Sequence, residues 1–192
     1  MKKILTCLFI IIANYAFSQK DIVVVKNEIY KIVYSQYLEQ PVKVEYIVLC
    51  PNGQASRKGM DFYKNDTIKT SDDLDYEKNL YDKGHMAPAA DFNCTKEMLF
   101  KTFSYLNCAL QDQNLNRGVW KELEAYEREL AGKQKVYVEI ICVFSDKSTK
   151  LKSGATVPDG FYKNIKYGKS LEKYYFPNTK PNKAKYSEYM IK

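Results

Sequence analysis

The segment YDKGHMAP, Tyr81 to Pro88, holds the single histidine of a 192-residue chain. An imidazole is the side chain best suited to accept a proton near neutrality, and a general base needs a partner to orient it. Asp82 and the backbone around it are the candidates for that partner. Lys83 sets a cation two residues from the base, suited to hold a phosphate as a point charge. Gly84 lets the chain turn tightly beside the base, and Pro88 stiffens the residues after it. Taken alone the quartet is weak evidence, because a lone histidine is more often a packed or surface residue than a catalyst.

A second group lies downstream in LNRGVWKELE, Leu115 to Glu124. Asn116 falls at the expected start of a helix. Glu124 comes later at a spacing that places it about 12 Å along the axis and turned by some 80°. The two can therefore border one cleft, with Asn116 at its deep end. An asparagine carbonyl is a hard oxygen donor, and Mg²⁺ keeps most of its waters, so one such ligand can hold it. Considered singly, Asn116 reads as a helix cap and Glu124 as part of a solvated face.

These groups need a scaffold, and the composition supplies one. With 45% apolar and 28% charged residues the chain reads as one globular domain. Residues 1–18 precede it: a Lys2-Lys3 start, an apolar run and the ending Ala16-Phe17-Ser18 form a secretory signal that is cleaved near Ser18. Residues 19–192 are then a single secreted or periplasmic domain. No further apolar run approaches a membrane span, so no stable membrane association is expected, and the oligomeric state is left open.

Export leaves Cys50, Cys94, Cys108 and Cys142 where disulfides persist, with three pairings open and unpaired buried thiols the alternative for at least one pair. A zinc site is a poor competitor, since no CxxC spacing occurs and only one histidine is available. The net charge is +7, and the surplus lies at the C-terminal end, where eleven lysines face four acids from Asp146 onward. Such a surface attracts polyanions, and Tyr162, Tyr167, Tyr174, Tyr175, Tyr186 and Tyr189 could stack on bases. On composition alone, a tail that keeps an exported protein soluble is the simpler reading.

Alternation in NEIYKIVY and VKVEYIVL predicts an antiparallel pair of strands, ended by the turn signal Cys50-Pro51-Asn52-Gly53. Gln54 to Tyr81 reads as a long surface loop. Thr95 to Tyr105 suits a short helix capped by Thr95. A longer helix spans NRGVWKELEAYERELAGK, with an apolar stripe of Val119, Leu123, Tyr126 and Leu130 that Trp120 widens and Gly132 ends. KVYVEIICVF is a further strand, and another comes after Pro158. Strands before and after central helices give an α+β class.

DKGHMAPAADF resembles the D-R-G-H signature of the DNA/RNA non-specific endonucleases of the ββα-metal type. YLNCALQDQNLNRGVWKELEAYEREL is similar, in order and spacing, to that family's asparagine-bearing segment and metal-ligand helix. SRKGMDFYKND resembles its arginine-containing loop, and KVYVEIICVF and VPDGFYK its later strands. The likeness covers about Glu45 to Lys166. It implies a central antiparallel sheet flanked by helices and sequence-non-specific hydrolysis of DNA, RNA or both to 5′-phosphate and 3′-hydroxyl ends. By position, His85 matches the general base, Asn116 the direct ligand of Mg²⁺ or Mn²⁺, and Glu124 the carboxylate beside the metal's water shell. Arg57 matches the arginine that contacts phosphate, while Asn107 and Gln111 match supporting residues. Lys83 stands where the family has arginine, which keeps the charge and loses the bidentate grip. Leu110 replaces a typical proline, and Ile141-Cys142 stand where glycine-proline is common. A secreted nucleic-acid-binding protein without catalysis, and a hydrolase of another phosphodiester, are the competing readings.

Overall fold

The computed structural model describes residues 21–192. The expected signal segment lies outside the described residues. The strands are β1 (Ile22–Lys26), β2 (Tyr30–Ser35), β3 (Gln40–Ile47), β4 (Tyr81–His85), β5 (Cys108–Asp112), β6 (Val136–Val143), β7 (Gly160–Tyr167) and β8 (Ser170–Pro177). The helices are α1 (Lys96–Thr102), the short α2 (Gln113–Leu115) and α3 (Lys121–Ala131). Six strands form an antiparallel sheet in the order β1-β2-β3-β6-β7-β8, and β4 and β5 form a separate antiparallel ribbon. The class is α+β, as expected.

Period-two alternation decides which sheet face is buried. Ile32, Val44, Ile140, Phe161, Ile165 and Phe176 point into one core with Trp120 and Leu123. Trp120 packs across β7 and β8, with ring centroids 5.5 Å from Phe161 and 5.6 Å from Phe176. The core and the ribbon thus occupy one side of the sheet. The other side carries half-exposed charges joined in pairs, such as Lys43 to Glu45 at 3.1 Å and Lys31 to Glu45 at 3.3 Å. The expected flanking is therefore one-sided.

Beneath α3 the core holds charge. Lys163 and Glu127 are wholly buried and paired at 2.6 Å, Tyr46 donates its hydroxyl to Glu127 at 2.8 Å, and the Lys163 ammonium lies 4.4 Å from the Trp120 ring centroid. One of the lysines credited to a C-terminal positive surface is thus an interior residue. Tyr174 and Tyr189, credited there as stacking platforms, are also buried.

Other departures from the sequence reading have local causes. The segment read as one surface loop contains a turn at Asp73–Tyr76 capped by Asp72, and it buries Ser71 and Asp75. The Thr95 hydroxyl does cap α1, accepting from the Met98 amide at 3.1 Å, but the helix stops at Thr102 and Ser104 caps a separate turn, Tyr105–Asn107. The longer helix is not continuous. Asn116–Trp120 forms a widened turn in which Gly118 is non-helical, so a helical rise does not describe the path from Asn116 to Glu124. One disulfide forms, Cys50 to Cys94 with Cα atoms 5.4 Å apart, leaving Cys108 and Cys142 as buried thiols.

Candidate active site

The ribbon and the helix after it place the chemistry. His85 is the last residue of β4, opposite Cys108 of β5, and the chain after β5 passes through α2 and the widened turn into α3. One cleft of about 880 Å³ is lined by Arg57, Lys83, His85, Asn116 and Glu124 together. Residues distant in sequence thus face one space.

His85 sits half-buried in an aromatic slot. Its ring centroid is 4.7 Å from Phe62 and 4.8 Å from Phe103. Both rings are fixed by the backbone: Tyr63 donates its amide to the Phe103 carbonyl at 2.9 Å, and Tyr105 returns one to Tyr63 at 3.0 Å. The His85 Nε2 is buried without a protein hydrogen-bond partner among the described residues. Burial and, after it, the Arg57 charge push the imidazole pKa down to about 3, so the ring is neutral and able to take a proton.

Asp82 does not orient His85. Its carboxylate accepts from Asn116 Nδ2 at 2.9 Å and from Arg117 Nε at 2.8 Å and Nη2 at 2.6 Å. That contact fixes the amide of Asn116 by engaging its nitrogen, which leaves the carbonyl oxygen as the free donor. The Phe62 and Phe103 rings are what flank the histidine instead. Asn107, fully buried, donates Nδ2 to the carbonyls of Ala87 at 2.9 Å and Thr102 at 3.0 Å, and its side-chain oxygen accepts from the Ala87 amide at 2.8 Å. Asn107 therefore clamps the chain just past His85.

Gly84 lies within β4 and makes no tight turn. A Cβ there would meet Gln111 Oε1 at 2.5 Å, so glycine is required by close packing of the ribbon against the buried Gln111. A tight turn occurs elsewhere: Met60 donates its amide to the Arg57 carbonyl at 3.0 Å, and Gly59 sits at φ 80° in the third position. This turn presents Arg57. The disulfide anchors the stretch before it to the segment after His85, and Ala55 donates its amide to the Asn93 carbonyl at 2.9 Å.

Lys83 reaches the cleft but is engaged. It pairs with Asp73 and, at 3.3 Å, with Asp61, and it lies 5.4 Å from the Tyr105 ring centroid. Burial works against its charged form, but the contacts with Asp73 and Tyr105 outweigh it and hold the pKa above the ordinary lysine value. On the facing wall, Glu124 is pushed up to about 7, by burial first and also by Glu127, against the pull of Lys163 and Arg128. Among the described residues no group of three or more His, Cys, Asp or Glu side chains could cage a metal. One free asparagine carbonyl beside a carboxylate suits a cation that keeps its water shell.

A family model for the DNA/RNA non-specific endonucleases matches residues 11–192. The chain belongs to that family. Bovine mitochondrial endonuclease G is 33% identical over 90 residues, 45% of this chain and 30% of that protein. A nuclease of Nostoc sp. is 35% identical over 90 residues, 47% of this chain and 33% of its own length. The matched region thus spans about a third of these curated relatives. A crystal structure of an EndoG/EndoGI complex superposes with a TM-score of 0.77 at 25% identity, covering 88% of this chain and 80% of that one. It shares the α+β architecture of this chain.

Seen beside its family, Leu110 has a local reason. Its amide donates to Gln40 Oε1 at 3.0 Å in the buried core, a bond that proline could not make. The sequence reading missed Arg117, Lys121 and Arg128, which also line the cleft. A signal for them existed. Arg117, Lys121, Glu124 and Arg128 are spaced by steps of four, three and four, the rhythm of the apolar stripe that begins two residues later at Val119.

Proposed function

We propose that this chain is a metal-dependent, sequence-non-specific endonuclease that hydrolyses phosphodiester bonds of DNA and RNA to 5′-phosphate and 3′-hydroxyl ends. His85 takes a proton from the attacking water. Burial and then the Arg57 charge hold the imidazole neutral, and its Nε2 has no protein partner among the described residues; a phosphate bound at Arg57 would offset that charge and raise the proton affinity of the ring. Asn116, oriented by Asp82, would hold Mg²⁺ or Mn²⁺ through its side-chain carbonyl, and Glu124 would offer a carboxylate to the same site. When bound, the cation supplies positive charge against the oxyanion and the departing 3′-oxygen. Arg57 holds the attacked phosphate next to the base. Backbone contacts position a nucleic acid without reading its bases, which accounts for non-specific cleavage.

The observation that carries this reading is the convergence of His85, the free Asn116 carbonyl and Arg57 in one cleft. Export through a cleaved leader, to the periplasm or beyond, is part of the proposal. The disulfide supports it, since such bonds persist in oxidising compartments. The test is plasmid nicking by purified protein with and without EDTA, beside His85→Ala. Chelation and the substitution should each abolish nicking while DNA binding persists; binding without any nicking by the wild type would leave a non-catalytic binder.

A further inference from the structure

Five cationic side chains line the cleft, and most of them are spoken for. Lys83 is held by Asp61 and Asp73, Arg128 by Asp91 at 2.9 Å, and Arg117 by Asp82. Arg57 and Lys121 have no carboxylate partner among the described residues. A paired cation must surrender a contact before it can take a phosphate, whereas an unpaired one need not. The free charges stand on different elements. Arg57 is on the loop beside the imidazole, while Lys121 opens α3, one helical turn before Glu124.

The turn that carries Arg57 leads directly into Phe62, whose ring centroid is 4.7 Å from that of His85, whereas Lys121 is on α3 with Glu124. The phosphate under attack must lie within reach of the imidazole, so Arg57 serves that phosphate and Lys121 serves another. Beside it, Arg117 spends Nε and Nη2 on Asp82 and retains Nη1, and its side chain is 67% exposed. Asp82 therefore aligns the metal-binding asparagine and this arginine with a single carboxylate.

We infer that the start of α3 is a second phosphate subsite, in which Lys121 and the remaining Nη1 of Arg117 grip the backbone phosphate adjacent to the one that is cut. The subsite takes the sugar-phosphate backbone of a polynucleotide and has no role with a single diester. Lys83 is a positioning cation that ties Asp61, Asp73 and Tyr105 together below the base. The assignment rests on the nuclease reading, and it is tested so that the two can fail separately.

The test compares Lys121→Ala with the charge-matched Lys152→Ala, an exposed lysine outside the cleft. On single-stranded and duplex DNA, Lys121→Ala should raise KM about fivefold with kcat nearly unchanged, and Lys121→Arg should restore it. On thymidine 5′-p-nitrophenyl phosphate, a single diester, wild type and Lys121→Ala should be alike. In EDTA, the salt dependence of oligonucleotide binding should fall by about one unit of slope for Lys121→Ala and by less for Lys152→Ala. Equal losses on polymer and single diester, or equal slopes for the two alanine variants, would overturn the subsite. A wild type that binds but cleaves nothing would sink the nuclease reading, while the slope comparison would still decide the subsite.

Discussion

The two walls of the cleft are built on opposite principles. On one, His85 stands between Phe62 and Phe103, and Asn107 and the disulfide hold the surrounding backbone. On the other, Asn116, Lys121 and Glu124 rest on a helix whose underside is ionic, with Glu127 paired to Lys163 and Arg128 to Asp91. Burial and the nearby Glu127 push the Asp91 carboxyl well up, against the pull of Arg128. The difference bears on the tasks proposed for them. A base must start unprotonated, which burial ensures at the expense of proton affinity. A cation site needs oxygen donors, which Asn116 and Glu124 offer, and a bound cation would draw the Glu124 carboxyl toward its charged form.

The sharpest way to break the comparison is to remove one group from each wall. His85→Ala should lower kcat by about 10²- to 10⁴-fold, the usual contribution of a general base, and added Mg²⁺ should not restore it. Asn116→Ala should lose comparable activity at low Mg²⁺ and regain part of it as the metal is raised. Metal titrations of nicking rate would check both. Equal rescue of the two variants would show that the walls do not divide the labour.

Next in size are the supports. Glu127→Ala strands the buried Lys163 ammonium and should cost about 3 to 5 kcal/mol of stability in chemical denaturation. Opening the disulfide with Cys50→Ser and Cys94→Ser together should cost roughly 4 kcal/mol, the loop-entropy value for a separation of 44 residues. Hydrogen exchange should separate the two. The serine variant should loosen residues 54–63, and Glu127→Ala should loosen α3, each leaving the opposite wall protected.

A smaller effect is expected at Asp82, which sits on the same strand as His85 and holds Asn116, the proposed metal ligand. Asp82→Ala should raise the Mg²⁺ concentration needed for half-maximal nicking by about 10- to 100-fold, the range for losing a metal ligand's supporting contact, and leave the rate at saturating metal largely intact. A fall in the saturated rate instead would mean that Asp82 also serves the base.

The two walls were not equally legible in the sequence. The metal wall has helical periodicity, so Val119, Leu123 and the cleft-facing Glu124 could be read from spacing, although the continuous pattern hid the break at Gly118. The base wall has no such rhythm. YDKGH and CALQD form a paired ribbon, yet neither alternates, because Gly84 answers to Gln111 and β5 is buried along its whole length. His85 was found by residue type and motif resemblance, not by pattern. The expectation that Asp82 would orient the histidine failed because neighbours in a strand point to opposite faces, and a carboxylate three positions away faces the helix instead. Lys163 was counted as surface charge because nothing local marks a lysine whose partners, Glu127 and Trp120, come from another element. The disulfide was one of three open pairings, and only the fold brings Cys50 to Cys94.

The least disruptive test asks whether the slot keeps the base dry, and the chain offers a clean probe because it holds one histidine. An exposed imidazole titrates near pH 6.5. Here the folded value is depressed to about 3 by burial and then by Arg57. Between about pH 6.5 and 3 the unfolded chain takes up a proton that the folded chain does not, so stability contributed by the neutral ring is full above pH 6.5 and drains away as pH falls through that window. In metal-free protein the single imidazole C2 proton resonance should hold its position from pH 8 to about 4. Phe62→Ala opens one side of the slot, and it should move the midpoint up toward 6 while leaving the α3 wall's amide resonances in place. A wild-type midpoint near 6.5 would mean that water reaches the ring freely, and the contrast between a dry wall and an ionic one would lose its first term.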